Sequence, residues 1–312
     1  MVLAHFDLPR LRKLELRRYG LGADENYGEP WNSQEIPAQS THGRLGEAAL
    51  PPTRQGNLST LELSDPCASP RDIKNLMQWP AHLLSLSMCQ IIYKTCTEQY
   101  TVDALQEILN VHRDSLQHIQ LSRFPSGPID GIPNFTKFSH LRKLQISQHN
   151  LRSQTPHAVS KRLAAPSLRH FRIDFGTGDP YQESPAARDF AAAQVRWLEE
   201  LVALLKPSGK TTASKLETIF IDFNPSNILW GAPDEFENAL WPWDYVEQAV
   251  QAVTKYNVIL EYCKPAFTRD EWDSMLAAKR KGEDWPPEDD DDDDDEQEYE
   301  DEIDDDEDNE DY

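Results

Sequence analysis

The sequence predicts an α/β fold in which a repeated unit builds a curved parallel β-sheet with helices on its outer side. Three observations predict it. Short segments with large apolar residues at positions i, i+3 and i+5 recur along the chain, and segments with helical periodicity separate several of them. The segment from Glu288 to Tyr312 is so acidic that we expect it to lie outside the folded part.

The recurring unit has the pattern L-x-x-L-x-L, in which alternation of apolar and polar residues predicts a short strand with one buried face. Eight segments fit it, the last in degenerate form: LRKLEL at Leu11, LSTLEL at Leu58, LLSLSM at Leu83, LQHIQL at Leu116, LRKLQI at Leu141, LRHFRI at Leu168, LETIFI at Leu216 and VILEY from Val258.

One such unit cannot bury its apolar face alone, so the units are expected to stack into a continuous core. Their shorter intervals, such as Leu58 to Leu83, lie in or near the period of about 20–29 residues of leucine-rich repeats. The sequence therefore predicts an irregular leucine-rich-repeat solenoid. An ordinary α/β domain with alternating strands and helices is the alternative.

Capping signals predict where the intervening helices begin. Ser69 precedes a proline, and Thr101 precedes VDALQEILNVH, whose apolar residues share one stripe. Ser184 and Pro185 are expected to open the longest helix, and WDYVEQAVQAVTKY is expected to form another. Thr268 and Glu271 have the spacing of a capping box at the start of the last helix.

The predicted organisation has three parts. Residues 1–265 form the leucine-rich-repeat domain with a Gly- and Pro-rich loop over 20–56, residues 266–282 form a C-terminal helix, and residues 283–312 form a disordered acidic tail. The net charge of −23 resides mostly in this tail, since Glu288–Tyr312 contains many Asp and Glu residues but neither Lys nor Arg. The rest of the chain is nearly neutral.

The sequence contains no catalytic signature of the G-x-S-x-G, H-E-x-x-H or P-loop type. The four cysteines form no C-x-x-C pair, and the nine histidines show no recognised ligand spacing. We therefore expect no catalytic residue, no metal and no cofactor. Without an apolar run long enough to span a membrane, or a signal peptide, the protein is expected to be soluble and intracellular, in the cytoplasm, the nucleus or both.

The candidate binding residues are those that lie between core positions of the predicted strands, because they should face outward on the concave side of a solenoid. A merely solvated sheet face is the alternative. The middle of this face is mildly basic, and Phe220 provides an aromatic anchor. Nucleic acid is not expected, since no basic stripe is present. The predicted protein-binding residues are His118, Gln120, Lys143, Gln145, His170, Arg172, Asp174, Thr218, Phe220 and Asp222.

The acidic tail has two interpretations. It can be a solubilising extension that repels itself, or a mimic of polyphosphate that binds basic proteins such as histones. Tyr299 and Ile303 would serve as apolar anchors within the acidic run that includes Asp289 and Asp295.

In its irregular repeats and its segment WDYVEQAVQAVTKYNVILEYCKP, the region 1–265 resembles fungal F-box proteins of the leucine-rich-repeat type. In that family an N-terminal F-box binds the adaptor of a cullin-type ubiquitin ligase, and the repeats select the protein to be ubiquitinated. This chain starts within a repeat at Leu11. The resemblance therefore implies substrate recognition, and adaptor binding only if an F-box lies upstream.

The repeats followed by an acidic tail also resemble the acidic leucine-rich nuclear phosphoproteins, which are histone-binding chaperones. That second resemblance implies a chaperone-like nuclear protein that binds histones through its tail. A repeat-fold enzyme is the third class of function.

Overall fold

The computed structural model describes residues 11–17, 56–64, 69–89, 100–122, 131–151, 153–175, 190–206, 214–222, 241–265 and 268–282. The chain divides into two compact units. The larger comprises Met1–Gly231 and Leu240–Ala266, and the smaller comprises Ala232–Ala239 and Phe267–Tyr312. The predicted acidic tail and residues 20–55 of the predicted loop lie outside the described residues.

The larger unit is built on one β-sheet whose strands are all parallel and follow one another in chain order. All eight predicted strand segments are confirmed: β1 (Lys13–Arg17), β2 (Thr60–Ser64), β3 (Ser85–Cys89), β4 (His118–Leu121), β5 (Lys143–Ser147), β6 (His170–Asp174), β7 (Thr218–Asp222) and β8 (Ile259–Tyr262). A parallel sheet in chain order needs a crossover after each strand that returns the chain to the same edge.

Burial alternates along the strands, as the sequence pattern predicts. In β2, Leu61 and Leu63 are fully buried, while the residues between and beside them are half-buried. The pairing places each inward residue beside its counterpart, so that Leu61 lies between Leu14 and Leu86. In the edge strand β1, Leu14 is only half-buried. The inward residues of neighbouring strands therefore form continuous apolar rows.

From the second to the seventh unit, the first leucine enters the same core from the turn before the strand. Leu58, Leu83 and Leu116, for example, are all fully buried. The backbone of this turn holds the next unit in register, because the Gln117 carbonyl accepts hydrogen bonds from the N–H groups of Arg142 and Lys143, at 2.8 and 3.0 Å. The same pair of hydrogen bonds to one carbonyl oxygen recurs between other neighbouring units.

Six α-helices occur in the described residues: α1 (Pro70–Met77), α2 (Val102–Asn110), α3 (Pro156–Leu163), α4 (Ala192–Leu205), α5 (Pro242–Thr254) and α6 (Arg269–Lys281). A short 3₁₀ turn, Gln148–Asn150, follows β5. The predicted caps of α1 and α2 are confirmed, since the Ser69 hydroxyl accepts the Asp72 N–H and that of Thr101 accepts the Ala104 N–H.

Two helices differ from the prediction. Helix α3 was not predicted, although Thr155 caps it by accepting the Ala158 N–H at 3.2 Å and Pro156 occupies its first position. Helix α4 begins at Ala192 and not at Pro185. Residues 190 and 191 are not helical. Phe190 is buried, and the Gln194 side chain accepts the Ala191 N–H at 3.1 Å, which fixes Ala191 as the residue before the helix.

A buried histidine connects three elements of the larger unit through hydrogen bonds. His112 follows α2 and is 2% exposed. Its Nδ1 accepts the Leu83 N–H at 3.4 Å, so Nε2 carries the proton and donates to the Met77 carbonyl at 2.6 Å. The neutral His112 side chain therefore forms hydrogen bonds with a carbonyl at the end of α1 and with an N–H in the segment before β3.

Helix α6 is the described part of the smaller unit. The predicted capping box is confirmed, since the Thr268 hydroxyl accepts the Glu271 N–H and the Glu271 carboxylate accepts the Thr268 N–H. The helix ends at Gly282, whose φ of 77° is the left-handed conformation that favours glycine at this position. Trp272 of this helix is 1% exposed.

The alternation of burial can be tested with two leucines that differ in position. Leu144 of β5 is 1% exposed, whereas Leu84, just before β3, is 38% exposed. We expect Leu144→Ala to lower the free energy of unfolding by about 2–5 kcal/mol, because it removes buried methyl groups and leaves a cavity. Leu84→Ala should cost less than about 1 kcal/mol. Urea denaturation would measure both, and equal losses would contradict the assignment of faces.

Candidate protein-binding face

The open face of the sheet is the one that carries the half-buried and exposed side chains of the strands. Strand pairing arranges them in rows that cross the strands. The first row contains Lys13, Thr60, Ser85, His118, Lys143, His170, Thr218 and Ile259. The second contains Glu15, Glu62, Ser87, Gln120, Gln145, Arg172, Phe220 and Glu261. Every predicted binding residue except Asp174 and Asp222 lies in these two rows.

Asp174 and Asp222 belong to a third row, near the carboxyl ends of the strands. Asp174 pairs with Ser147 on one side and Asp222 on the other. It is only 5% exposed, so it lies on the predicted face but is buried there. The Gln145 amide donates a hydrogen bond to its carboxylate at 3.4 Å. Asp174 therefore contributes to holding Gln145 in place.

A concavity of about 400 Å³ lies over the first two rows. Its lining extends from Glu62 on β2 to Glu261 on β8 and includes eight of the predicted binding residues: His118, Gln120, Lys143, Gln145, His170, Arg172, Thr218 and Phe220. The sheet pairing thus brings together side chains that are far apart in the sequence.

Three residues of the first row form a basic cluster in the middle of the open face. His118, Lys143 and His170 occupy adjacent positions on β4, β5 and β6, about 4.8 Å apart from strand to strand. Burial lowers the pKa of the His118 imidazole below its usual value, and the positive charges of Lys143, Arg142 and His170 lower it further. The His118 imidazole therefore senses the positive charge of its neighbours and is itself less readily protonated than an ordinary histidine.

Arg142 was not among the predicted binding residues. It lies one position before β5, where the strand alternation does not apply, and its side chain is exposed. Its charge nevertheless acts on His118 across the strand boundary. A sequence signal was present, since a second cation directly precedes Lys143 in LRKLQI.

The second row has an ordered cationic and aromatic group on its β8 side. The Arg172 guanidinium lies over the Phe220 ring, 4.8 Å from its centroid, and forms a salt bridge with Asp222. Asp222 also accepts a hydrogen bond from the Cys263 thiol at 3.2 Å. These contacts hold Phe220 and Arg172 in one arrangement on the open face.

At the β1 side of the face, a positive and a negative side chain pair with each other. Lys13 forms a salt bridge with Glu62 at 2.8 Å, and both side chains are partly exposed. Such an exposed pair contributes little to stability, about 0–1 kcal/mol. Its effect on the face is to leave no excess positive charge at β1 and β2.

Within the described ranges, no group of three or more His, Cys, Asp or Glu could hold a metal ion. His112, which is six residues before His118, is engaged in the core as described above. No helix in the part of the chain that the structure describes is long and apolar enough to cross a membrane. The predicted tail residues Asp289, Asp295, Tyr299 and Ile303 lie outside the described residues.

No model of a known protein family matches the chain, and no curated protein matches it.

The pKa of His118 provides a test of the basic cluster. We expect Lys143→Gln to raise this pKa toward that of an ordinary histidine, though not all the way, because burial is the larger cause and remains. Titration of the imidazole proton by NMR would measure the change. Lys161→Gln, which removes an exposed charge from α3, should leave the pKa of His118 unchanged.

The same shift has a consequence for stability. A histidine with a lowered pKa binds its proton more weakly in the folded state, so its contribution to stability is lost as the pH falls from about 6.5 through the folded-state pKa. Lys143→Gln should reduce that loss. An identical pH dependence of unfolding in the wild type and the variant would contradict the coupling.

Proposed function

We propose that the chain is a non-catalytic protein–protein interaction module whose open face binds a partner protein. The observation that carries this proposal is the in-register open face, on which a basic cluster and an ordered aromatic residue line one concavity. Aromatic and arginine side chains are the residues on which binding energy concentrates in protein interfaces. Phe220 and Arg172 are already fixed in one arrangement, which reduces the entropy lost on binding.

Within this proposal, the finer fold is an irregular leucine-rich-repeat solenoid. The sequential parallel strands, the buried leucine that precedes six of them and the helices between several of them support it. In such a solenoid each unit contacts its neighbours and the sheet face offers an extended binding surface. The proposed role of the larger unit follows from that arrangement.

The proposed biological context is substrate recognition for an F-box-type ubiquitin ligase receptor. The repeat-like sheet and the resemblance of residues 1–265 support it. The open face would then select the protein to be ubiquitinated. The ligase adaptor would bind through an F-box upstream of Leu11, if one is present.

The second candidate is an acidic-tailed, chaperone-like nuclear protein that binds histones. It is favoured by one observation, the dense acidic sequence from Glu288 to Tyr312, which contains neither Lys nor Arg. Binding through a charged segment of this kind would be sensitive to salt. In this case the binding of partners would depend on residues 283–312 and not on the open face.

Substitution of Phe220 tests the first candidate. We expect Phe220→Ala to reduce the amount of each specific partner recovered with the full-length chain by about tenfold or more, because it removes the aromatic anchor of the face. Quantitative mass spectrometry after affinity capture would measure the recovery. Tyr245→Ala is the matched control, because Tyr245 is a half-buried aromatic residue of α5.

Deletion of residues 283–312 separates the two candidates. Recognition by the open face predicts that the partners remain when the tail is removed. Loss of all partners on deletion, with no effect of Phe220→Ala, would contradict the first candidate and support the histone-binding one.

A further inference from the structure

We propose that the middle of the open face binds a short acidic segment of a partner protein, about three or four residues long. This inference rests on the proposed function, since it names the chemistry of the partner that the same face would bind. Charge, pairing and the dimensions of the face carry it.

The first two rows of β4, β5 and β6 define the central zone of the face. Its six side chains include no carboxylate: His118, Gln120, Lys143, Gln145, His170 and Arg172. The acidic side chains of the concavity lie to either side of this zone, Glu62 on β2 and Glu261 on β8. The face therefore has a basic centre between acidic flanks.

The cations of the open face and of the turn before β5 fall into two groups, those that have an anionic partner and those that have none. Arg172 pairs with Asp222, and Lys13 pairs with Glu62. Among the described residues, the side chains of Lys143 and Arg142 form no hydrogen bond or salt bridge. The same holds for the imidazoles of His118 and His170.

A carboxylate placed over this zone would supply the missing partner. A hydrogen bond between an ammonium or guanidinium group and a carboxylate is about twice as strong as one between neutral groups. The acidic segment would also offset the mutual repulsion between His118 and the three positive or protonatable groups that act on it, Lys143, Arg142 and His170. Complementary charge of this kind gives specificity and speeds association.

The dimensions of the face limit the length of the segment. The three strands of the central zone span about 10 Å, which corresponds to three or four extended residues. The interval from β2 to β8 is about 29 Å, or about nine extended residues. A uniformly acidic segment of that length would meet Glu62 and Glu261 at its ends and be repelled there.

Binding of two labelled peptides to the full-length chain tests the inference. One peptide has four glutamates between Gly-Ser flanks, and the other has four glutamines in their place. Fluorescence anisotropy at low salt, about 50 mM, should show at least tenfold tighter binding of the glutamate peptide, and the difference should shrink at about 0.5 M salt. Equal affinity for the two peptides, or no binding of either, would overturn the inference.

Single substitutions locate the peptide on the face. We expect Lys143→Gln and Arg142→Gln each to weaken binding of the glutamate peptide by about three- to fivefold, since each removes one exposed charge pair. Lys161→Gln removes a cation of α3 that is also exposed and should leave the affinity unchanged. An equal loss in all three variants would show binding that is not specific to the face, and would overturn the inference.

A chain shortened to residues 1–282, which keeps every described residue, identifies the occupant. Similar binding by the full-length and shortened chains supports a segment of a partner. Binding by the shortened chain alone would assign the face to the protein's own acidic tail, and would overturn the proposal of a partner. If neither chain binds the peptide while Phe220→Ala still removes partners, the inference fails and the proposed function stands.

Discussion

The structure depends on one constraint, the alternation of inward and outward side chains along eight parallel strands held in register. Each fully buried leucine, isoleucine or phenylalanine contributes about 1.5–3 kcal/mol of hydrophobic free energy, and most strands contribute two such residues in addition to the leucine before the strand. A shift of one residue in any strand would turn these side chains outward. Because the inward residues are committed to the core, the outward residues can vary in chemistry without loss of packing.

The strands could be predicted from the sequence because a single pattern encodes both their position and their buried face. The helices were predictable where a cap marked their start, as Ser69 and Thr101 do for α1 and α2. Thr155 and Pro156 give the same signal for α3, which has the same eight-residue length as α1, so this helix was also predictable from its cap. At α4, Ser184 and Pro185 suggested a helix start that the structure does not have. The helix begins after the buried Phe190, where the Gln194 side chain accepts a hydrogen bond from the Ala191 N–H.

The open face was predictable as a set of residues but not as a set of contacts. Period-two alternation places His118, Lys143 and His170 in one row once the strands pair in register. The salt bridge between Arg172 and Asp222 joins residues fifty positions apart, and no local pattern encodes such a distance. The burial of Asp174 likewise depends on the neighbouring strands. What the structure adds is therefore the distinction between Lys13 and Arg172, which pair with carboxylates, and Lys143, whose side chain forms no salt bridge among the described residues.

The central claim is that partners bind the open face and not the helical side of the same unit. Photo-crosslinking from single positions in cells tests it most directly. With p-benzoylphenylalanine in place of Gln145, on the open face, irradiation should give discrete adducts of higher mass. With the same group in place of Lys161, exposed on α3, it should give none. Adducts from position 161 with none from position 145 would contradict the claim.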